Sequence, residues 1–134
     1  MDCLFCKIGK KEIPSEMVYE DDRVFAILDI HPRSPGHTMI IPKLHAVTLL
    51  DLPEEEVGPL FSVVRLVTAK LEKALRPQGF TIGINHGEAS GQAVKHLHVH
   101  IIPRFQGDGG GSVHSVVSNQ SGYSLEEVKK KLGL

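Results

Sequence analysis

The segment His96-Leu97-His98-Val99-His100-Ile101-Ile102-Pro103 sets three histidines in alternation with apolar residues. Successive side chains of a strand point to opposite faces. The pattern predicts a strand over 96–103 with His96, His98 and His100 on one face and Leu97, Val99 and Ile101 on the other. The apolar face can pack into a core. A row of imidazoles is costly to bury unpaired and serves no packing need, so it points to chemistry. On an extended strand His96 and His100 lie roughly 13 Å apart. All three cannot converge on one ion without a bend, so a division of labour along the row is expected.

Just before the row comes Asn85-His86-Gly87-Glu88-Ala89-Ser90-Gly91-Gln92-Ala93. A glycine-rich turn feeding a strand can present backbone N–H groups to an anion. Gly91 allows close approach, and Asn85 and Gln92 supply neutral donors. The same segment could simply join two antiparallel strands. Beside three aligned histidines, phosphate becomes the expected anion, and neutral imidazole is a competent nucleophile toward phosphorus. Cys3 and Cys6 are the only two cysteines, spaced C-x-x-C. In a reducing compartment that spacing suggests a metal pair or a redox pair. A thioredoxin-like motif would follow a strand and open a helix. This pair precedes any such unit, and eight histidines are available as partners. Half of a zinc site is the preferred reading.

These groups need elements to position them. Residues 17–20 and 23–29 read as strands joined by Asp21-Asp22, followed by the turn-rich 31–36 and strands over 37–41, 80–86 and 96–103. Asp51 and Glu54 resemble a capping box. After them Val57, Leu60, Phe61, Val64, Val67, Leu71, Ala74 and Leu75 follow the helical period until Pro77 and Gly79. A second helix should open at Ser124, with Glu127 completing its capping box and Leu125, Val128 and Leu132 on one side. Five strands joined by short turns, one long helix and a short C-terminal helix imply an antiparallel α+β fold rather than a βαβ one. Residues 106–119, rich in glycine, are the expected mobile part.

Length and composition bound the function. A chain of 134 residues suits one domain, 1–134, with its motifs within about 1–105 and an extension over 106–134. A net charge of −1 disfavours nonspecific nucleic-acid binding. No apolar run approaches the roughly 20 residues of a membrane span. Residues 1–6 lack the pattern of a signal peptide, so a cytoplasmic location is expected, with neither nucleic acid nor membrane as a partner.

Residues 91–104 closely resemble the signature of the histidine triad (HIT) superfamily, His-φ-His-φ-His-φ-φ. The likeness extends to Cys3-Leu4-Phe5-Cys6-Lys7-Ile8, Glu12-Ile13-Pro14, Val18-Tyr19-Glu20-Asp21-Asp22, Leu28-Asp29-Ile30, Pro35-Gly36-His37 and Ile41-Pro42-Lys43-Leu44-His45. It covers about residues 1–105 and is similar to bacterial and archaeal hydrolases with a zinc-binding C-x-x-C. The resemblance implies a HIT-like fold and cleavage of a nucleoside monophosphate from a phosphoramidate or dinucleoside polyphosphate. It makes His98 the covalent nucleophile. His100 then lies near the non-bridging oxygens and leaving group, and His37 orients its neighbours. Asp29 matches the ribose-binding acid, and Phe5, Ile8, Leu28 and Ile30 match the walls of a purine pocket. Asn85, Gly91, Gln92 and Ala93 fall at the phosphate end.

Further consequences follow from the same resemblance. A structural zinc would sit on Cys3, Cys6, His45 and His96, and no cofactor is needed for the chemistry. A homodimer is expected, because family members pair to extend the sheet. Two departures stand out. Ala93 lies where many members carry Ser or Thr, so a hydroxyl is missing. Asn85 matches the phosphoramidase-like branch, whereas the chain end does not. The rival reading is a zinc-stabilised purine-nucleotide-binding adaptor with little turnover, and Ala93 is the feature that leans that way.

Overall fold

Asp21 closes the first hairpin: its Oδ1 accepts the backbone N–H groups of Arg23 at 2.7 Å and Val24 at 2.8 Å. This local turn joins β1 (Met17–Glu20) to β2 (Val24–Leu28). The structure is a computed structural model and describes residues 2–119 and 122–134. Three more strands, β3 (Thr38–Pro42), β4 (Gly79–Gly83) and β5 (Val99–Arg104), complete one sheet in the order β1-β2-β3-β5-β4. Every pairing is antiparallel. The α+β class read from the sequence is the one observed.

Both faces of the sheet are used. On one face lies the long helix α2 (Glu54–Leu75), which buries Leu60, Val63, Val64, Val67 and Leu71. They pack with Val24, Ala26, Ile40, Val99 and Ile101 in the larger core. The other face carries the short helix α1 (Leu4–Gly9). Its Phe5 and Ile8 join Phe25, Ile27, Met39 and Ile41 in a second core. Residues that alternate along β2 and β3 thus feed opposite layers, as period-two geometry requires.

Several boundaries differ from the sequence expectation. The last strand begins at Val99, not His96, so only His100 of the three histidines lies within it. Residues 94–96 form a bend instead. The fourth strand ends at Gly83 rather than reaching 86. Asp51 does not cap α2; its Oδ2 accepts the Thr48 backbone N–H at 2.9 Å and hydroxyl at 3.1 Å. A nearer donor pair has captured the carboxylate. Glu54, Glu55 and Glu56 in the first turn of α2 complement its dipole. Pro59 offers no N–H to the Glu55 carbonyl, and Arg23 reaches that oxygen at 3.5 Å. Phe61 and Leu75 fit the helical period yet are exposed.

At the far end, α3 (Leu125–Leu132) carries the expected capping box: Ser124 Oγ accepts from Glu127 N–H, and Glu127 accepts from Ser124 N–H. No residue of α3 is buried. No helix among the described residues is long and apolar enough to cross a membrane.

The burial pattern of α2 separates two similar substitutions. Leu60 is 0% exposed and Leu66 46% exposed. Leu60→Ala should cost about 2–5 kcal/mol through lost transfer energy and a residual cavity, and Leu66→Ala under about 1 kcal/mol. Urea denaturation of the two variants checks this. Equal costs would mean that α2 docks by another face.

Candidate active site and metal centre

His96 is fully buried. Its Nε2 lies 2.8 Å from the Pro42 carbonyl oxygen. A carbonyl only accepts, so Nε2 carries the proton and Nδ1 presents a lone pair. That lone pair faces Cys3 Sγ at 3.4 Å, Cys6 Sγ at 3.5 Å and His45 Nδ1 at 3.2 Å. Cys6 Sγ and His45 Nδ1 are 3.3 Å apart. The four ligand atoms all lie within 4.8 Å of one another.

These spacings match a tetrahedral metal shell. Typical Zn–N and Zn–S bonds at tetrahedral angles put two nitrogens about 3.3 Å apart, and sulfur and nitrogen about 3.6 Å apart. The Pro42 carbonyl supplies the outer hydrogen bond that orients a ligating imidazole. Burial, and next to it the neighbouring Cys3, push the Cys6 thiol up. Burial also holds His96 toward its neutral form, which is the form that ligates. Four electron-rich atoms converging from α1, the loop after β3 and the bend before β5 form a candidate metal site.

The backbone of the same bend sets the next histidine. His98 Nδ1 lies 2.8 Å from the His96 carbonyl oxygen, so Nδ1 is the protonated nitrogen and Nε2 holds a lone pair. The Phe5 ring meets the His98 ring edge-on at 5.1 Å between centroids, closing one side.

His100 has the opposite tautomer, and the reason lies at the start of the neighbouring strand β3. The Arg33 backbone N–H donates to His37 Nδ1 at 3.1 Å. His37 must then carry its proton on Nε2, which donates to His100 Nδ1 at 2.9 Å. That leaves the His100 proton on Nε2. One imidazole thus offers a lone pair and the next offers an N–H. Register places the pair: Met39 pairs with His100 between β3 and β5, which brings His37 beside the end of the row. Gly36 makes the approach possible. Its φ is +87°, and a Cβ there would collide with Leu75. Burial, then His98 and His37, pushes His100 down to about 4. His37 is also lowered by burial, with Asp29 partly opposing. Both are neutral near pH 7.

The histidines open onto a cavity of about 710 Å³. Phe5, Ile8, Leu28, Ile30, Asp29, Asn85, Gly91, Ala93, His37, His98 and His100, all proposed from sequence, line it. Asp29 Oδ1 accepts the His31 N–H at 2.8 Å, and Oδ2 lies 3.6 Å from His37 Nε2, too far for a hydrogen bond. Gln92 is the exception. Its side-chain amide donates to the Val47 and Val94 carbonyls and accepts from the Gly87 N–H. It braces the turn and has no donor left to offer. Sequence reasoning passed over Arg33, Met39, Ile102 and Ser15, which also line the cavity. It did not foresee α1, whose single turn and a half carries Cys6, Phe5 and Ile8.

An antiparallel sheet that presents two imidazoles of opposite tautomer beside a Cys/His cluster defines a class of protein with a polarised histidine site and a separate cluster able to hold a metal. The chain belongs to the HIT family: the family model for the HIT domain matches residues 10–107. Adenylylsulfatase HINT3 of Arabidopsis thaliana is 45% identical over 107 residues, which are 80% of this chain and 54% of that protein. This chain therefore spans about half of that relative. The crystal structure of a HIT family protein from Bacillus anthracis superposes with a TM-score of 0.85 at 35% identity, covering 98% of this chain and 93% of that one. A zinc-bound histidine triad family protein from Mycobacterium smegmatis superposes at 0.77 with 40% identity, covering 81% and 79%.

The low His100 value has a measurable consequence. Between the ordinary 6.5 and about 4, the unfolded chain binds a proton that the folded chain refuses. Stability is therefore full above about pH 6.5 and falls as pH drops toward about 4. From about pH 7 to about pH 5 the loss through this group is about 2 kcal/mol. His100→Gln should show a shallower decline than wild type by that amount in urea titrations at the two pH values. Identical declines would show that His100 titrates as a solvated histidine.

Proposed function

We propose that the protein is a nucleotide hydrolase or transferase that releases a nucleoside monophosphate through a covalent nucleotidyl-histidine at His98. The observation that carries this is the tautomer pair: a fixed lone pair on His98 Nε2 beside an N–H on His100 Nε2. His98 Nε2 attacks the α-phosphorus as the bond to the leaving group breaks and that group takes the electron pair; an anhydride's leaving group departs as an oxyanion, whereas a phosphoramidate's nitrogen also takes up a proton and departs as a neutral amine. The imidazolium so formed keeps its Nδ1–H on the His96 carbonyl, which stabilises the positive ring. His100 Nε2–H, held by His37, donates to a non-bridging oxygen where negative charge gathers. The backbone around Gly91 and Ala93 and the side chain of Asn85 flank the same oxygens. Water then attacks phosphorus, the P–N bond breaks, its electron pair returns to His98 Nε2, and the water's proton passes to solvent.

Upstream of the phosphate, Asp29 is placed to accept from ribose hydroxyls. Phe5, Ile8, Leu28 and Ile30 form apolar walls that suit a flat purine such as the base of AMP and its conjugates. Asn85 supports a phosphoramidate substrate. The name of the Arabidopsis relative, an adenylylsulfatase, supports a mixed anhydride of AMP, and dinucleoside polyphosphates belong to the same chemistry. Zinc is the metal we assign to Cys3, Cys6, His45 and His96. Bound there it supplies structure, not chemistry, since two cysteines and two histidines leave no open position. A cytoplasmic location suits two free thiols. A homodimer would extend the sheet through β4, which ends the strand order and carries the exposed Ile82 beside the exposed Phe61 of α2.

His98→Ala should abolish hydrolysis of adenosine phosphoramidate and of diadenosine polyphosphates, by about 10³-fold or more, while AMP still binds. Turnover that survives in the variant would remove the covalent mechanism. Tight AMP binding with no turnover by wild type would favour the adaptor reading. Metal analysis should find about one zinc per chain, and Cys6→Ser should lose it together with several degrees of Tm. A folded wild-type protein that takes up no added zinc would overturn the metal assignment.

A further inference from the structure

The cavity at the histidines does not end at His100. A second cavity, about 270 Å³, continues along the same face of the sheet. The two share Arg33 and Ile102 as walls. Ile102 lies two residues beyond His100 in β5 and so faces the same side. The far wall is the glycine-rich loop. Arg104 holds it with two parallel hydrogen bonds to Asp108, at 2.7 and 2.9 Å, and a third to the Gly111 carbonyl at 2.6 Å. Asp108 also accepts the Gly110 N–H at 2.9 Å. Ser112 and Ser115 follow on the rim. The loop is therefore a built wall, at least as far as residue 111.

Two guanidinium groups border this second cavity, and they differ. The charge of Arg104 is matched by Asp108, whose carboxyl it holds well below the usual carboxylate range. Among the described residues no ion pair involves Arg33. Its positive charge is close enough to disfavour protonation of His37. Arg33 is exposed, so water solvates it at rest, and its unmatched charge at the junction of the two cavities is available to an anion that enters there.

We propose that the second cavity receives the leaving group and that Arg33 selects leaving groups that are oxyanions: phosphate, sulfate or a polyphosphate chain. This rests on the nucleotide-hydrolase reading above. Base and ribose occupy the α1 end of the first cavity, so the group beyond the scissile bond has the space past His100. There it departs with the electron pair of the P–O bond as an oxyanion and needs no proton. That fits a His100 which is neutral at rest and so offers a hydrogen bond rather than an acid. A guanidinium pairs with such oxygens in a charge-assisted contact. Arg33 is then a specificity-determining residue, acting on the far side of the bond that breaks.

Substitution of the Arg33 side chain leaves the His37 relay in place, because that hydrogen bond comes from the Arg33 backbone. The test compares wild type, Arg33→Ala and Arg33→Lys in two assays. In the first, calorimetry measures binding of AMP and of α,β-methylene-ADP, whose second phosphate extends past the α position. Arg33→Ala should lower the affinity ratio of the longer to the shorter ligand about ten-fold, and Arg33→Lys should restore part of it. In the second, kcat/KM for an AMP anhydride should fall at least about ten-fold more than for adenosine phosphoramidate. Unchanged ratios in Arg33→Ala would overturn the assignment. If wild type hydrolyses neither substrate, the reading of the preceding section falls, and the binding ratio alone still decides where Arg33 acts.

Discussion

Everything in the site hangs on how His96 is held. Its ring is buried between the Pro42 carbonyl and the Cys3, Cys6 and His45 cluster. Its own carbonyl fixes the tautomer of His98. Side chain and main chain of one residue thus tie the candidate metal cluster to the imidazole lone pair. Loss of the ring's anchoring would loosen the bend at 94–96 that aims this carbonyl, and the lone pair of His98 with it. A metal at the cluster would secure that anchoring, since four electron-rich atoms that repel one another would share a cation. In this sense a purely structural ion is still coupled to the site. The coupling runs through a single peptide unit rather than through a long network.

The same constraint explains why α1 matters despite its six residues. A helix this short is not stable by propensity. It is held by the cysteines at one end and by Phe5 and Ile8 packed on the sheet. Those two residues also wall the cavity. The candidate metal cluster, core packing and the shape of the cavity are therefore one arrangement, and loss of the cysteines propagates to all three.

Features with local causes were legible in the sequence, and features with distant causes were not. Ser124 and Glu127 cap α3 as read, because both partners of a capping box lie within one turn. Asp51 was misread because Thr48, equally local, competes for the same carboxylate. The antiparallel pairing of β1, β2 and β3 follows from short turns and alternation, whereas the insertion of β5 between β3 and β4 depends on long connections that no local pattern marks. The start of β5 is not legible either: the histidine alternation looks like a strand from 96 onward, while the demands of the cluster bend the chain at 94–96. The cavity residues drawn from the family resemblance assemble as a group, apart from Gln92, whose amide goes to three backbone partners across the turn. No pattern in the sequence marks a side chain that spends itself on bracing. Arg33 escaped notice for the opposite reason, since a lone arginine in a turn is ordinary until the missing carboxylate can be seen.

The electrostatics of the site give the arrangement its direction. His37 and His100 are kept neutral by burial, so these two bring orientation and hydrogen bonds rather than positive charge. A phosphate approaching the histidine row finds one N–H, one lone pair and backbone dipoles. On the proposed reading this suits the nucleophile, because a charged His98 cannot attack and a charged neighbour would hinder the imidazolium that forms. The cost is that the anion must be balanced elsewhere. On the same proposed reading, Asp29 adds a negative charge on the ribose side, which disfavours extra phosphates there. Arg33 adds a positive charge on the opposite side, past His100. A substrate of the proposed kind, with its excess negative charge beyond the scissile bond, matches this gradient in one orientation only, the one that would set the α-phosphorus over His98.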